Sequence, residues 1–361
     1  MADLIEPVLI IAEAGVNHNG SLDMAKRLVD VAADAGANVV KFQTFKAELL
    51  VTAHAAKASY QIANTKEDGG QLAMLRALEL NFDDHHALIE HCKQCSINFM
   101  STGFDTQSLA FLGALGMPAI KIPSGDITCA PLLLQAAQLH QRLLVSSGMS
   151  TLTDLERALA ILSWGLLHQG VPSSQEEIDS TYFSTEGQDA LKRYVTLLHC
   201  VTQYPAPVES VNLRAMETMR QAFGLPVGYS DHTLGIEMSI AAVARGATVI
   251  EKHFTLDRHL PGPDHLASLE PTELKQLVSA IRNVEAGLGS AQKLPAPAER
   301  PNRAVARRSV VASRSIAKGE LLTIEMLDCK RPGTGLSPMD IWSLLDSPAL
   351  RDFAADEQIE I

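Results

Sequence analysis

Cysteine, aromatic residues and clustered positive charge are all scarce in this 361-residue chain, and each scarcity removes a class of function. Five cysteines are few and odd in number, which argues for reduced thiols rather than a disulfide framework. Cys92 and Cys95 form a C-x-x-C within a helical stretch, residues 83–96, but no second pair accompanies them to complete a zinc site, so they read as structural. Aromatic residues make up 5% and charged residues 20%. Thirty Lys and Arg against 42 Asp and Glu leave a net charge of -12 with no basic block, which disfavours nucleic acid and anionic membrane as partners. Long hydrophobic runs are missing too. The N-terminus carries no basic region before the short apolar run 8–12, so we expect a soluble, cytoplasmic protein. Two motifs are absent. The segment Ala14-Gly-Val-Asn-His-Asn-Gly20 lacks the G-x-G-x-x-G spacing of an open dinucleotide-binding sheet, and Ser146-Ser-Gly-Met149 lacks the G-x-S-x-G elbow of a serine hydrolase.

Hydrophobic residues account for 46% of the chain, which permits a large core and leaves little room for disorder. At this length we expect one large unit and a smaller one. Short runs rich in Val, Ile and Leu alternate with longer segments of helical period, the pattern of repeated strand-helix units. Eight such runs occur, at residues 8–14, 38–45, 98–103, 119–124, 143–148, 195–201, 226–230 and 248–254. Between them lie helical patterns such as 22–35, with Ser21 as N-cap and Gly36 as stop, and 151–167. Eight strands with intervening helices predict an α/β fold, a closed (β/α)8 TIM barrel over residues 1–290. Two stretches break the repeat. Residues 173–189, polar and rich in Ser and Glu, read as a mobile surface loop. Residues 291–302, which contain Leu294-Pro-Ala-Pro-Ala-Glu-Arg-Pro301, read as a semi-rigid linker to a small domain at 303–361 with strand-like runs at 309–312 and 320–322.

Barrel enzymes place their active sites at the C-terminal ends of the strands, so polar side chains embedded there carry weight. Glu13, Lys41, Gln43, Thr102, Lys121, Ser124, Asp126, Ser146, His199, Ser230, Asp231, His232, Glu251 and His253 all stand at or near such ends. Alternation puts Lys41 with Gln43, and Glu251 with His253, on one face. A lysine inside a barrel needs an anionic partner. One alone could serve an interior salt bridge, but two with Thr102, Ser124 and Ser146 look more like a pocket for phosphate and carboxylate. His232 and His253 end the neighbouring seventh and eighth strands and could converge on one divalent metal. With Glu13, Asp126 and Asp264 close in the fold, the set suits Mn²⁺, Zn²⁺, Co²⁺ or Mg²⁺. His85, His86 and His91 lie on a helical segment and read as surface residues of the outer ring.

Several motifs in one order carry a resemblance: Ile11-Ala-Glu-Ala-Gly-Val-Asn-His-Asn-Gly20, Val40-Lys-Phe-Gln-Thr44, Lys121-Ile-Pro-Ser-Gly125, Ser230-Asp-His-Thr233, Glu251-Lys-His-Phe-Thr255, Gly262-Pro-Asp-His265 and Lys330-Arg-Pro-Gly333. The chain resembles the sialic acid synthase family over essentially its whole length. Lys57-Ala-Ser-Tyr-Gln-Ile-Ala-Asn64 and Gly262-Pro-Asp-His-Leu-Ala-Ser268 extend the likeness to bacterial members. The resemblance implies a barrel followed by an antifreeze-like (SAF, β-clip type) domain. It implies a transferase that condenses phosphoenolpyruvate with N-acetylmannosamine and water to give N-acetylneuraminate and phosphate. On this likeness Lys41, Thr102, Lys121, Ser124 and Ser146 hold phosphoenolpyruvate. His232 and His253 hold a divalent metal, Mn²⁺ foremost, with Mg²⁺ or Co²⁺ as alternatives. Glu13, Gln43, Asn64, Tyr204 and Asp264 surround the amino sugar or its attacking water, Ser230 joins the substrate pocket, and Asp126 joins the acid-base groups. Asp126 stands where many bacterial relatives have Glu, and Thr202 where some carry Asn. The resemblance further implies a domain-swapped homodimer in which each small domain caps the partner's barrel and brings Arg331 to the amino sugar. Two other readings stay open: a legionaminate or pseudaminate synthase acting on a 6-deoxy diacetamido hexose, and a carbohydrate- or ice-binding module on a catalytically dead barrel.

Overall fold

The computed structural model describes residues 6–65 and 70–360; residues 1–5, which entered the reading of the N-terminus, lie outside the described residues. The chain forms two compact units, Met1–Gly289 and Ser290–Ile361. In the first, eight parallel strands close into a barrel in sequence order: β1 (Leu9–Gly15), β2 (Val39–Thr44), β3 (Asn98–Gly103), β4 (Ile120–Ile122), β5 (Leu143–Ser146), β6 (Val195–Cys200), β7 (Val227–Asp231) and β8 (Val249–His253). Helix α1 (Leu22–Ala35) follows β1. Four helices follow β2: α2 (Ala47–Leu50), α3 (Ser59–Thr65), α4 (Gln71–Leu78) and α5 (Phe82–Gln94). The ring continues with α6 (Thr106–Gly113), α7 (Ala130–Gln138), α8 (Leu152–Leu167), α9 (Gln175–Tyr182), α10 (Thr185–Tyr194), α11 (Ala215–Phe223), α12 (Glu237–Ala244) and α13 (Pro271–Leu288). This is a TIM barrel.

Strand alternation sorts the interior. Facing inward, Ile11, Val39, Met100, Ala119, Leu144, Leu198 and Val249 form an apolar plug with Leu9 against it. Burying an aliphatic side chain of this size contributes about 1.5–3 kcal/mol. Gly228 makes room for the plug: a Cβ there would lie 2.7 Å from Leu198 Cδ2 and 2.5 Å from Val249 O. Two residues further along each of these seven strands the same face carries Glu13, Lys41, Thr102, Lys121, Ser146, Cys200 and Glu251, which all line one cavity. The plug is therefore the floor of that cavity. Outward-facing residues pack under the helices, where α1 buries Ala25, Leu28, Val29 and Ala32. It starts at Ser21, whose side chain accepts from Met24 N, and stops at Gly36, which is left-handed at φ 81°.

Three expectations change. Residues 173–189 are not a loop: Ser174 and Ser184 cap α9 and α10, and Ile178 packs against Ala160 and Trp164. Their polar composition reflects helices buried on a narrow side only. His85 is fully buried, with Nε2 at 2.6 Å from Thr44 Oγ1 and Nδ1 at 2.8 Å from Asn81 O, and burial lowers its pKa; His86 is exposed and His91 half-buried. Residues 291–302 include a 3-10 turn, Pro297–Glu299, and the start of α14 (Arg300–Ala306). In the second unit β9 (Ser309–Ala312) pairs antiparallel with β10 (Leu327–Lys330) over a small core that includes Val310, Leu344 and Phe353, whereas the 320–322 run supplies only a bridge at Leu321.

Behind the cavity wall, on the outward face of β7, Asp231 accepts from Thr233 N, Thr233 Oγ1, Ser239 Oγ and Tyr229 OH, and its Oδ2 lies 3.0 Å from Lys252 Nζ. Both partners are almost completely buried. Asp231→Ala would leave a buried ammonium uncompensated, so it should destabilise the barrel by about 3–5 kcal/mol in urea denaturation followed by far-UV ellipticity. A loss below about 1 kcal/mol would show that the pair is not holding β7 to β8.

Candidate active site

The cavity at the C-terminal strand ends has a volume of about 360 Å³. At its floor, Lys41 Nζ lies 2.6 Å from Glu13 Oε2 and 3.5 Å from Glu251 Oε2, and donates to Thr102 Oγ1 at 2.9 Å. Lys121 Nζ lies 3.5 Å from Glu251 Oε1 and donates to Ser146 Oγ at 2.8 Å. Ser230 Oγ donates to Glu251 Oε1 at 2.8 Å, and Gln43 Nε2 to Glu13 Oε1 at 3.4 Å. Two lysines and two glutamates thus form a buried quartet linked in the order Glu13, Lys41, Glu251, Lys121. The interior salt bridge weighed for one lysine is present for both, inside the cavity itself.

The two carboxylates differ. Burial pushes Glu13 up to about 7, although Lys41 beside it pulls the other way. Burial opposes ionisation of Glu251 as well, but Lys121 and Lys41 outweigh it and bring that group down to about 2. Burial works against the charge on both lysines; Glu13 and Glu251 raise Lys41 on balance, whereas Lys121 stays lowered. Burial also raises Asp126 and Asp264, each to about 6. The site therefore holds carboxyls in distinct states near neutral pH, the arrangement that acid-base chemistry requires.

His232 and His253 meet at the rim with ring centroids 5.5 Å apart. His232 Nδ1 lies 2.7 Å from Val201 O, so its proton is donated there and Nε2 keeps its lone pair. His253 Nδ1 is buried without a hydrogen-bond partner, 3.9 Å from Asp264 Oδ2, and burial holds the imidazole neutral. Burial opposes charge on His232, but the neighbouring Cys200 thiol raises its pKa on balance. Two imidazoles beside a carboxylate fit a divalent cation. Tyr204 packs on His232 at 4.1 Å between ring centroids and on Tyr60 at 5.1 Å, which forms an aromatic wall. Gly15 turns the chain beside these groups in the left-handed region, φ 52°; a Cβ there would come within 3.3 Å of both Gln43 Nε2 and Glu13 Oε1.

The remaining expected residues fall in three places. Ser124 and Asp126 line the cavity from the 3-10 turn after β4. Ser124 Oγ accepts from Gly148 N, while Asp126 Oδ2 is buried without a partner. Asn64 stands on α3 and donates to Pro263 O at 2.6 Å, which ties that helix to the loop carrying Asp264. Arg331 belongs to the second unit, where its Nε donates to Ala306 O. Among the lining residues that carried no assigned role in the sequence are Glu251, Thr202 and Tyr60. Glu251 shares a strand face with His253, and that alternation was the available signal. Thr202 has a buried Oγ1 without a partner, and Tyr60 lies on a short helix that only the folded chain brings to the mouth. Opposite the charges, Val16, Phe45, Leu50, Val51, Met74 and Leu75 give the same cavity an apolar side, built largely by α2 and α4.

Residues 28–293 match the NeuB family, and residues 307–360 match the SAF domain. The chain belongs to the NeuB family. It is a sugar-acid synthase of the phosphoenolpyruvate-condensing type with a C-terminal SAF domain. It is 45% identical over 355 residues to the N,N'-diacetyllegionaminic acid synthase of Campylobacter jejuni, covering 98% of this chain and 99% of that one. It is 47% identical over 338 residues to the enzyme of the same name from Legionella pneumophila, covering 94% and 89%. The crystal structure of N-acetylneuraminic acid synthetase from Leptospira borgpetersenii superposes with a TM-score of 0.66 at 32% identity, covering 84% of this chain and 93% of that one. These identities overturn the expectation that the acceptor is N-acetylmannosamine and favour the diacetamido alternative. The motifs behind that expectation cluster at the strand ends and the loops beside them, where the shared condensation occurs, and they do not report on the far end of the sugar.

An anion arriving beside Glu13 disfavours its ionised form further. At about pH 8, where this group is mainly ionised, binding of phosphoenolpyruvate should take up roughly half a proton to one proton per site. Calorimetry in two buffers of different ionisation enthalpy measures this, and the uptake should vanish in Glu13→Gln. A wild type that binds with no proton uptake would contradict the raised value.

Proposed function

We propose that this chain condenses phosphoenolpyruvate with a 6-deoxy diacetamido hexose and water, giving a diacetylated legionaminate-type nine-carbon keto acid and phosphate. The observation that carries the reading is the identity of 45% and 47% to two N,N'-diacetyllegionaminic acid synthases across nearly the whole chain. The apolar side of the cavity supports it. Among the described lining residues the only lysines are Lys41 and Lys121, both within the charge quartet, so a methyl at the distal end of the acceptor can bury against Leu50, Val51 and Leu75.

In this reading Lys41, Lys121, Thr102, Ser124 and Ser146 take the carboxylate and phosphate, and the incoming anion displaces Glu13 from Lys41. C3 of phosphoenolpyruvate bonds to the aldehyde carbon, and the aldehyde oxygen receives a proton from Asp264, which burial keeps available near neutral pH. Water then adds to C2. Asp264, left ionised by that transfer, takes one proton of the water. Glu13, protonated as the anion bound, protonates the departing phosphate and recovers the C2 hydroxyl proton as the tetrahedral adduct collapses by cleavage of the bond from C2 to the bridging oxygen, which leaves with phosphate. Gln43, Asn64, Tyr204, Ser230 and Asp126 orient the acceptor. His232 and His253 would hold a divalent cation, Mn²⁺ foremost with Mg²⁺ or Co²⁺ as alternatives, which when bound would polarise the aldehyde. We also propose a homodimer in which Arg331 of one chain reaches the acceptor in the other. We assign the reaction to the cytoplasm, where thiols such as these stay reduced.

Phosphate release measured with the 6-deoxy diacetamido hexose and with N-acetylmannosamine should favour the former by about 10- to 100-fold in kcat/KM. Leu75→Gln should shrink that ratio; equal turnover of the two sugars by the wild type would sink the assignment. His232→Ala and His253→Ala should each abolish turnover and lower bound Mn²⁺ with the far-UV spectrum unchanged. Undiminished Mn²⁺ content in both variants would remove the two histidines from the metal site.

A further inference from the structure

On the outer ring, α1 and the end of α5 present three chemically different donors to one point. Asp30 comes from α1, and His91 and Cys95 come from α5 and its C-terminal cap, four residues and therefore one turn apart. His91 Nε2 lies 2.7 Å from Asp30 Oδ1, Cys95 Sγ lies 3.4 Å from the same oxygen, and Sγ and Nε2 are 3.8 Å apart. A single carboxylate oxygen thus faces both an imidazole and a thiol.

The geometry points to a second metal site, for Zn²⁺ or a similarly thiophilic divalent cation, held by Asp30, His91 and Cys95 and linking α1 to α5. Tetrahedral zinc with bonds of about 2.0–2.3 Å sets its ligand atoms roughly 3.3–3.6 Å apart. The three separations straddle that range, so the cation enters with side-chain shifts of less than about 1 Å. The supports are rigid: α1 is anchored by Leu28, Val29 and Ala32, and α5 by Leu88 and Cys92, all buried. A further carboxylate is at hand. Asp34 lies one turn beyond Asp30, and it and Asp30, after burial, raise the Cys95 thiol above its ordinary pKa. Two acidic groups around a sulfur are unfavourable for a bare thiolate and favourable once a divalent cation sits among them. Coordination displaces the thiol proton to solvent and leaves the remaining imidazole proton on Nδ1. Without a cation the same contacts are a His91–Asp30 pair and a thiol hydrogen bond from Cys95 to Asp30, and the experiment below separates the two readings.

The cavity also holds a sulfur, Cys200 beside His232, so the test separates the two sites by substituting Cys95 itself. Chelator-treated His232→Ala/His253→Ala protein, which lacks the two mouth histidines, should bind one equivalent of Zn²⁺ in competition with a chromophoric chelator. Adding Cys95→Ser should weaken that binding at least about tenfold. With Co²⁺ as probe, the near-ultraviolet thiolate-to-cobalt band of the double variant should disappear in the triple variant. Cys95→Ser in the otherwise wild-type chain should lower total bound Zn²⁺ by one equivalent, which covers the case of a double variant that does not fold. Unchanged zinc stoichiometry and affinity after Cys95→Ser, or bound Co²⁺ with no change in the thiolate band, would overturn the proposal.

Discussion

Two lysines and two glutamates buried together at the centre of the barrel are the constraint on which the rest of the structure depends. Neither sign of charge is tolerable alone at that depth, and removing one member of such a set typically costs about 3–5 kcal/mol. The apolar plug beneath the quartet excludes water from below, and the closed barrel excludes it from the sides. Each charge is thereby forced onto its neighbours. The same compulsion separates the two carboxyls, because Glu251 has both lysines near it and Glu13 has chiefly Lys41. A group held near 7 and a group held near 2 then sit side by side for reasons of packing alone.

In the proposed reading, chemistry and selectivity are carried by different parts of the chain. Strands β1, β2, β4 and β8 contribute the quartet, and β7 and β8 bring His232 and His253 together. Helices α2 and α4, between β2 and β3, contribute much of the apolar side of the cavity, and the Asn64 amide on Pro263 O ties α3 to the opposite rim. A change of acceptor can therefore be accommodated in that excursion without altering a strand.

The barrel was legible because a strand buried on both faces must be apolar throughout, so eight Val- and Ile-rich runs stand out against amphipathic helices. Polar residues inside such runs were legible for the same reason: Lys41, Lys121, Glu13 and His253 stand out in a strand, as does the structural pair of Asp231 and Lys252. What failed was whatever depends on a single neighbour. His85 looks like any polar residue on an outer helix until Thr44 is known to face it. Residues 173–189 look like a loop until Ile178 finds Trp164. Glu251 stood in view at two residues from His253, yet its pairing with two lysines on other strands is a property of the closed barrel. The acceptor was the largest miss, since an apolar lobe assembled from Val16, Phe45, Leu50 and Met74 has no sequence motif.

The charge balance of the quartet also has a kinetic consequence. A chain of net charge -12 that receives a multiply charged anion has no outward positive field to draw that ligand in, because the lysines meant for it are already neutralised by Glu13 and Glu251. In the proposed reading, capture then proceeds by exchange at contact, with the ligand's oxygens replacing Glu13 on Lys41 after encounter. The encounter itself is slowed rather than accelerated by long-range electrostatics, and raising ionic strength relieves that opposition over distances beyond about 10 Å.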